Sequence, residues 1–536
     1  MIKHLFKSLL LVVLIPACLS AFSTQNFDII NFSILHTSDL HAHLMQWETP
    51  EGKTVGGYAR IKNYKDSIEK QGREVLMLSS GDIFQGTFFY RFFQGIPDIE
   101  FMNDTGYAAM TLGNHEFDNG QEALAEALAY AKFPVLAANI QFKKIPALQV
   151  KIKPYTFAEV GPEGKKIKVA IVGLVPEELK TIVQPVFVND FTVLDAAEAL
   201  RKYLPEIKKA KPDMILLLSH LGWDRELQLF EEFPELDGIL GGHTDLAIDP
   251  PAIVAGARGH RFMSQPGEWG QHLTRYDVTF YRNSNRPVEV TAAGLVPLDK
   301  SNHEDNKIAE RVARLWTQIQ EKVVTPVSET KVFLNGERGD VRNRETNLGN
   351  LLADCFKDLI PADMALVNGG GVRSSIATGV ITVGDVLNVL PFDNYLMRLK
   401  MSGASINKVF AEVASFSGTS GGFGGFLQVS EGLHVDYTAG QQPKVLFNGK
   451  PLSATKLYTV TTIDFLAAGG NGLSGFTEAV DNESTGKMTA DIFMKYLGQM
   501  QTVCPFTEGR IKTHSGAKKY KMPKGIVKSI PKPRFD

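Results

Sequence analysis

The chain has 536 residues, 44% hydrophobic and 22% charged, with 57 basic against 59 acidic side chains and a formal net charge of −2. That length exceeds what a single hydrophobic core sustains and predicts two domains. A balance so close to neutral provides no long-range field for a polyanion, which argues against a nucleic-acid polymer as partner.

The opening segment, MIKHLFKSLLLVVLIPACLSAFSTQ, sets Lys3 and Lys7 before an apolar run from Leu9 to Ile15, followed by small residues. This is the layout of a secretory signal, too short to span a bilayer, and Ala21 and Ser23 form a small-x-small site with cleavage expected after Ser23. Residues 1–23 are therefore set apart from the fold, and the mature chain is expected to be secreted or periplasmic. Cys18 in IPAC gives a second reading, because it loosely resembles a bacterial lipoprotein signal although Pro16 is atypical of one. Lipidation at Cys18 would place the chain on the outer membrane, its one route to a membrane. The cysteines beyond the signal are Cys355 and Cys504, and spacing leaves them free to pair or to stay as thiols.

From Asn31 to about Lys300 short apolar runs alternate with helical stretches, the pattern of layered α/β structure. The runs are FSIL, EVLMLSS, AAMTL, KVAIVGLV, MILLLSH and DGIL. Polar residues gather at their ends: Asp39 and His41, then Asp82, then Asn114 and His115, then His220, then His243 and Asp245. Strand ends are rigid supports that project side chains into one crevice, so five of them deliver Asp, His and Asn to one place. In NKIAERVARLWTQIQEKV the residues Ile308, Val312, Leu315, Trp316, Ile319 and Val323 recur at helical spacing, with Asp305 or Asn306 placed to cap the start. A second α/β segment follows, and the chain closes on a basic, proline-containing stretch. The expected organisation is a first domain over 26–300, a joining helix over 301–325, a second domain over 326–515 and a loosely ordered tail over 516–536.

Taken singly, each polar motif has an ordinary explanation. Asp-x-His is turn chemistry, Asn114 in GNHE would cap a helix with Glu116 in its first turn, and His220 and His243 would be satisfied core histidines. Only a shared purpose explains all five strand ends together. Carboxylate, amide and imidazole donors without thiolate suit two divalent first-row ions rather than a structural zinc site. Asp82, from a central strand, is the natural bridge between ions about 3.5 to 4 Å apart.

Asp39-Leu-His41, Gly81-Asp82, Gly113-Asn114-His115-Glu116, His220 and Gly242-His243 resemble the five-block pattern of the calcineurin-like metallophosphoesterases. HTSDLHAH, GGYAR, GNHEFD, FPVLAANI and GGHTD more narrowly resemble the secreted 5'-nucleotidase family, which includes bacterial periplasmic 5'-nucleotidase and UDP-sugar hydrolase. The resemblance covers nearly the whole mature chain. It implies an N-terminal layered β-sandwich flanked by helices and an α/β C-terminal nucleotide-binding domain. It also implies two divalent ions, drawn from Mn, Zn, Mg or Co. Asp39, His41, Asp82 and Asp245 would hold one ion, and Asp82, Asn114, His220 and His243 the other. His115, oriented by Asp118, would stabilise the transferring phosphoryl group, while Glu116 and His43 are left as supporting or surface groups.

In the second domain the residues matching the family's substrate site are Arg338, Arg342, Asn368, Arg373, Phe392, Asn394, Phe465 and Asn471. Arginines suit phosphate or carboxylate, and two phenylalanines would sandwich a base. Without the resemblance, core phenylalanines and a solvated arginine face would be preferred. Two positions depart from the family: Asn471 replaces a common acidic residue, and Asp245 replaces a common His or Gln, with a turn cap as its alternative role. The implied activity is hydrolysis of nucleoside 5'-monophosphates to nucleoside and phosphate, with UDP-sugars as a further class. The alternatives are a 2',3'-cyclic nucleotide phosphodiesterase with 3'-nucleotidase activity, and a non-catalytic nucleotide-binding surface protein. The sequence says nothing of oligomeric state.

Overall fold

The computed structural model describes residues 28–513 apart from 50, 144–145, 189, 417–421 and 440–441. The segment 1–23 with Cys18 and the tail 516–536 lie outside the described residues. Within them, no helix is long and apolar enough to cross a membrane.

All six apolar runs are strands: β1 Asp28–Thr37, β2 Glu74–Ser79, β3 Ala109–Thr111, β4 Ile167–Leu174, β5 Met214–Ser219 and β6 Gly238–Leu240. Three more, β7 Gly259–Ser264, β8 His272–Arg282 and β9 Val288–Pro297, complete the framework. β1, β2 and β3 run parallel, as do β4, β5, β6 and β7. The antiparallel strands β8 and β9 bridge these two halves, since β1 pairs β8, β8 pairs β9 and β9 pairs β7. With four further strands, Val135–Leu136, Ile152–Lys153, Tyr155–Val160 and Ala252–Gly256, the result is one 13-stranded mixed sheet among the described residues.

Alternation along the strands turns this sheet into two packed layers. Phe32 and Ile34 of β1, Leu76 and Leu78 of β2, Val169 and Ile171 of β4, and Leu216 and Leu218 of β5 share one buried cluster. Their neighbours face the other way, as a period of two demands. Leu35, Met77 and Met110 meet α1 Tyr58–Lys70, α2 Ile96–Thr105 and α3 Gly120–Ala129. Ala170, Val172, Ile215 and Leu217 meet α4 Ala196–Lys209 and α5 Trp223–Glu232. Both faces of each half are covered, so the strands read as continuous apolar runs rather than alternating ones.

The helix α6 spans Asn306–Val323, and Asp305 caps it by accepting from the Ile308 N–H at 2.9 Å. Ile308, Val312 and Ile319 pack into the helical layer of the first domain. Beyond α6, strands β10 Met364–Asn368, β11 Tyr395–Ser402, β12 Leu427–Val429, β13 Leu457–Ile463 and β14 Asp481–Met488 form a separate sheet in the order β12-β10-β13-β11-β14. Its core is distinct from the first domain's and includes Leu366, Leu399, Phe410 and Phe493. Cys355 is buried and Cys504 exposed, both as free thiols, so the two do not pair.

Phe32 is fully buried between the two layers. Phe32→Ala is expected to cost about 3–5 kcal/mol through lost burial and the cavity left behind. Denaturant unfolding checks this, and an unchanged midpoint would place Phe32 outside the cooperative core.

Candidate metal centre

The turns after β1, β2 and β6 hold residues with left-handed backbone. Asp39 (φ 53°), His41 (φ 48°), Asp82 (φ 49°), His243 (φ 79°) and Asp245 (φ 57°) all occupy the left-handed region. An L-residue there is disfavoured by roughly 1–2 kcal/mol, and such outliers gather where a site needs an unusual backbone. The turns are tied to one another: the N–H groups of Asp39, His41 and Ala42 donate to the carbonyls of Gly81, Asp82 and Ile83 at 3.0, 3.0 and 2.8 Å. They also approach so closely that Gly113 has no room for a side chain, since a Cβ there would lie 2.1 Å from Asp82 Oδ1.

The polar side chains converge behind these turns. His220 Nε2 lies 2.9 Å from Asp82 Oδ2 and 3.7 Å from Asp39 Oδ1. Donor atoms of Asp39, His41 and Asp245 fall within 4.8 Å of one another, as do those of Asp82, His220 and His243, and those of His41, Asp82 and His115. Asp82 belongs to two of these groups. The Phe84 carbonyl lies 3.2 Å from His41 Nδ1 and the Ser80 carbonyl 2.5 Å from His220 Nδ1. A carbonyl only accepts, so Nδ1 carries the proton in each and Nε2 is left facing inward.

The electrostatics call for a cation. Burial raises the Asp39 carboxyl well above its ordinary range, and the charges of Asp245 and Asp82 add to that, against the pull of His220. Burial opposes a charge on His220, but Asp82 and Asp39 outweigh it and push its pKa up to about 10. Asn114 Oδ1 is a buried acceptor with no hydrogen-bond donor among the described residues. Asn114 also makes no capping bond to the turn His115–Phe117, which removes the helix-cap explanation. Clustered carboxylates, inward imidazole nitrogens and an orphaned amide oxygen are a donor set that fits divalent ions, which would take the place of the His220 proton.

Of the two roles left to Glu116, supporting or surface, the structure gives the supporting one. It is 1% exposed, and its carboxylate accepts from the backbone N–H groups of Gly113 (2.5 Å), Asp82 (3.0 Å), Ile83 (2.8 Å) and Phe84 (3.2 Å). Other neighbours had no sequence signal at all. Glu178 Oε1 is 3.5 Å from His243 Nε2, and Glu268 sits against Asp245. Asp245 itself is ion-paired with Arg338. Burial disfavours its charge, yet Arg338, with His41 and Arg373, holds the carboxyl well below its ordinary value.

A cavity of about 850 Å3 opens over these groups. His41, Asp82, Asn114, His115, Asp118, His243 and Asp245 line it, and so do all eight second-domain candidates. Asp39 and His220 lie behind it, 1% and 0% exposed. His115 Nδ1 is 2.5 Å from Asp118 Oδ2, and its ring lies 5.7 Å from that of Phe392 at an interplanar angle of 26°. Arg373 Nη2 is 3.3 Å from His41 Nε2, and Arg338 donates to the His243 carbonyl at 3.0 Å. Burial, then the nearby Arg338 and Arg373, lowers the Arg342 guanidinium well below its ordinary value. Gln184 donates to Asn394 Oδ1 at 3.4 Å, and Asn368 donates to Asn471 Oδ1 at 3.4 Å. Phe465 closes on Gly470, where a Cβ would lie 2.5 Å from its ring. Phe416 and Phe423, not singled out in the sequence, stack on each other at 4.6 Å and also line the cavity. Their glycine-rich surroundings hid them, because glycine breaks any periodic pattern.

The calcineurin-like phosphoesterase family model matches residues 32–245, and that of the 5'-nucleotidase C-terminal domain matches residues 324–478. Snake venom 5'-nucleotidase of Naja atra is 32% identical over 90% of this chain and 99% of its own length. The trifunctional nucleotide phosphoesterase protein YfkN of Bacillus subtilis (strain 168) is 30% identical over 90% of this chain, which spans 35% of that protein's length. Among solved structures, the 5'-nucleotidase precursor from Thermus thermophilus aligns with a TM-score of 0.83 at 31% identity, covering 91% of this chain and 100% of that one.

Glu226 supports the last of the turns, accepting from Gln265 Nε2 at 2.7 Å and from the Gly242 N–H at 3.2 Å. Burial pushes its carboxyl from 4.5 up to about 7. A raised carboxyl pKa means the folded state holds the proton more tightly, so this contribution to stability is present below about 4.5 and is lost as pH rises through about 7. In chelator-treated protein, Glu226→Gln should therefore flatten the decline in the denaturation midpoint between about pH 5 and about pH 7.5. Parallel declines in the two proteins would show that Glu226 does not carry it.

Proposed function

The chain belongs to the 5'-nucleotidase family, and we propose that it hydrolyses nucleoside 5'-monophosphates to nucleoside and phosphate. The observation that carries this reading is a single cavity with two kinds of wall. One wall presents the Asp, His and Asn donor groups with His115 and Asp118, and the other presents arginines and aromatic rings.

Asp39, His41 and Asp245 would hold one divalent ion, Asn114, His220 and His243 the other, with Asp82 between them. Such ions supply Lewis acidity that neutralises phosphoryl charge and activates water for in-line displacement. The carboxylate at Asp245 favours hard ions such as Mn2+ or Mg2+ over what a neutral ligand would hold. Asp118 accepts from His115 Nδ1 and so orients the ring. Its Nε2 faces the donor cluster, 4.0 Å from Asp82 Oδ2, where it would contact the phosphoryl group as charge develops. Arg338, Arg342 and Arg373 hold the anionic end of the substrate, since guanidinium forks match phosphate oxygens. Phe465 and Phe392 offer faces to the base, and Asn368, Asn394 and Asn471 offer polar contacts to the sugar. Stacking does not read a base edge, so broad base tolerance follows. The segment 1–23 supports export as a secreted or periplasmic enzyme.

Phosphate release across a panel of nucleotides, with and without chelator, tests the activity. Release from 5'-monophosphates that stops on chelation and returns with Mn2+ is expected, and no release from any of them would overturn the reading.

The roles separate on substitution. His115→Asn should lower kcat by roughly 10² or more while both ions are retained, the scale of a lost proton or transition-state contact. Elemental analysis showing a lost ion would reassign His115 as a ligand. Phe465→Ala should remove stacking worth about 1–3 kcal/mol, raising KM for nucleotides far more than for p-nitrophenyl phosphate. Equal losses on both substrates would trace the effect to folding.

A further inference from the structure

The turn after β1 carries three left-handed residues in four, Asp39, His41 and Ala42. Its N–H side is tied to the Asp82 turn, as described above. Its carbonyl side needs separate partners, because a buried carbonyl left without a donor is costly. Thr87 Oγ1 donates to the Ala42 carbonyl at 2.8 Å. The Leu40 carbonyl accepts from the His43 backbone N–H at 3.0 Å, and a small aromatic cluster outside the cavity serves those of Asp39 and His41.

His43 Nδ1 lies 2.9 Å from the His41 carbonyl and 3.1 Å from the Leu40 carbonyl. Two acceptors on one nitrogen fix the proton there. Among the described residues His43 is the one donor to the His41 carbonyl. The Trp269 N–H donates to the Asp39 carbonyl at 2.7 Å. The His43 ring lies flat on that of Trp269, with centroids 4.9 Å apart and planes 16° apart. Trp47 meets Trp269 edge-on at 5.1 Å, and its Nε1 donates to the Trp269 carbonyl at 3.1 Å. Trp269 is itself left-handed at φ 58°, a conformation a bulky residue keeps only where its surroundings hold it. Gly56 leaves it room, since a Cβ there would lie 2.9 Å from the Trp269 carbonyl.

We propose that His43 is a positioning residue: its imidazole N–H, held flat by Trp269, fixes the Asp39–Ala42 turn in the geometry that presents Asp39 and His41 to a divalent ion. The inference rests on the two-ion reading of the site. It separates two kinds of histidine in HAH, one facing the ion and one fastening the backbone behind it. Groups of this supporting kind typically change ion affinity by about 10–100-fold when removed.

Calorimetric titration of chelator-treated protein with Mn2+ tests it. His43→Leu should weaken one of two binding phases by about 10–100-fold, and it should be the phase that Asp245→Asn also weakens. His43→Asn, whose side-chain N–H2 reaches the same carbonyls, should restore most of that affinity. Trp269→Leu keeps the backbone N–H but removes the platform, and should weaken the same phase to a lesser extent. Trp269→Leu carries the test if His43→Leu fails to fold by circular dichroism. Wild-type affinity for both ions in the folded variant, or equal weakening of both phases, overturns the role of His43. A wild-type protein that binds no ion overturns the two-ion reading, and this inference with it.

Discussion

The site is organised by one buried carboxylate that does not itself line the cavity. Glu116 accepts four backbone N–H groups, one from Gly113 and three from the run Asp82 to Phe84. It therefore joins the turn after β2, which carries Asp82, to the turn after β3, which carries Asn114 and His115. The turn after β1 is drawn in as well, because the Asp82 and Phe84 carbonyls accept from His41. Burial and the charge on Asp82 push the Glu116 carboxyl up to about 7, while the backbone donors pull it back. A buried charge is tolerable only when its lone pairs are filled this completely.

Such close joining needs both strained backbone and missing side chains. A Cβ on Gly81 would lie 2.4 Å from the Gly113 nitrogen, and one on Gly242 2.1 Å from Ser38 Oγ. The left-handed turns and these contacts are unfavourable locally. They persist because every strand that feeds them is locked between two apolar layers, Phe32 and Leu216 on one side and Leu35 and Leu217 on the other. A densely packed sandwich has few discrete alternatives, so the strain cannot relax by small shifts. The scaffold's rigidity and the site's geometry are one property.

The two domains divide the work by charge. The first supplies carboxylates and imidazoles, and the second supplies the guanidinium groups of Arg338, Arg342 and Arg373 with the rings of Phe465 and Phe392. Arg338 reaches Asp245 and the His243 carbonyl, and Arg373 reaches His41. Groups of opposite charge thus line one cavity of about 850 Å3, where a low dielectric strengthens their effect on anything bound there.

Much of this was legible in the sequence. The six apolar runs became strands because burial on both faces requires unbroken apolar stretches, and α6 formed where apolar residues recur at 3.6 spacing behind the Asp305 cap. The polar strand ends were readable because strands deliver their ends to a common edge. Tertiary structure alone decided that one mixed sheet, bridged by β8 and β9, folds over itself, and that Cys355 and Cys504 stay apart. It alone turned Glu116 inward, set His43 against Trp269, paired Asp245 with Arg338 and stacked Phe416 on Phe423. Periodicity and turn preference act between near neighbours along the chain, whereas His43 meets Trp269 and Asp245 meets Arg338 only after the sheet has closed and the domains have met. Contacts made by distant segments leave no local pattern to read.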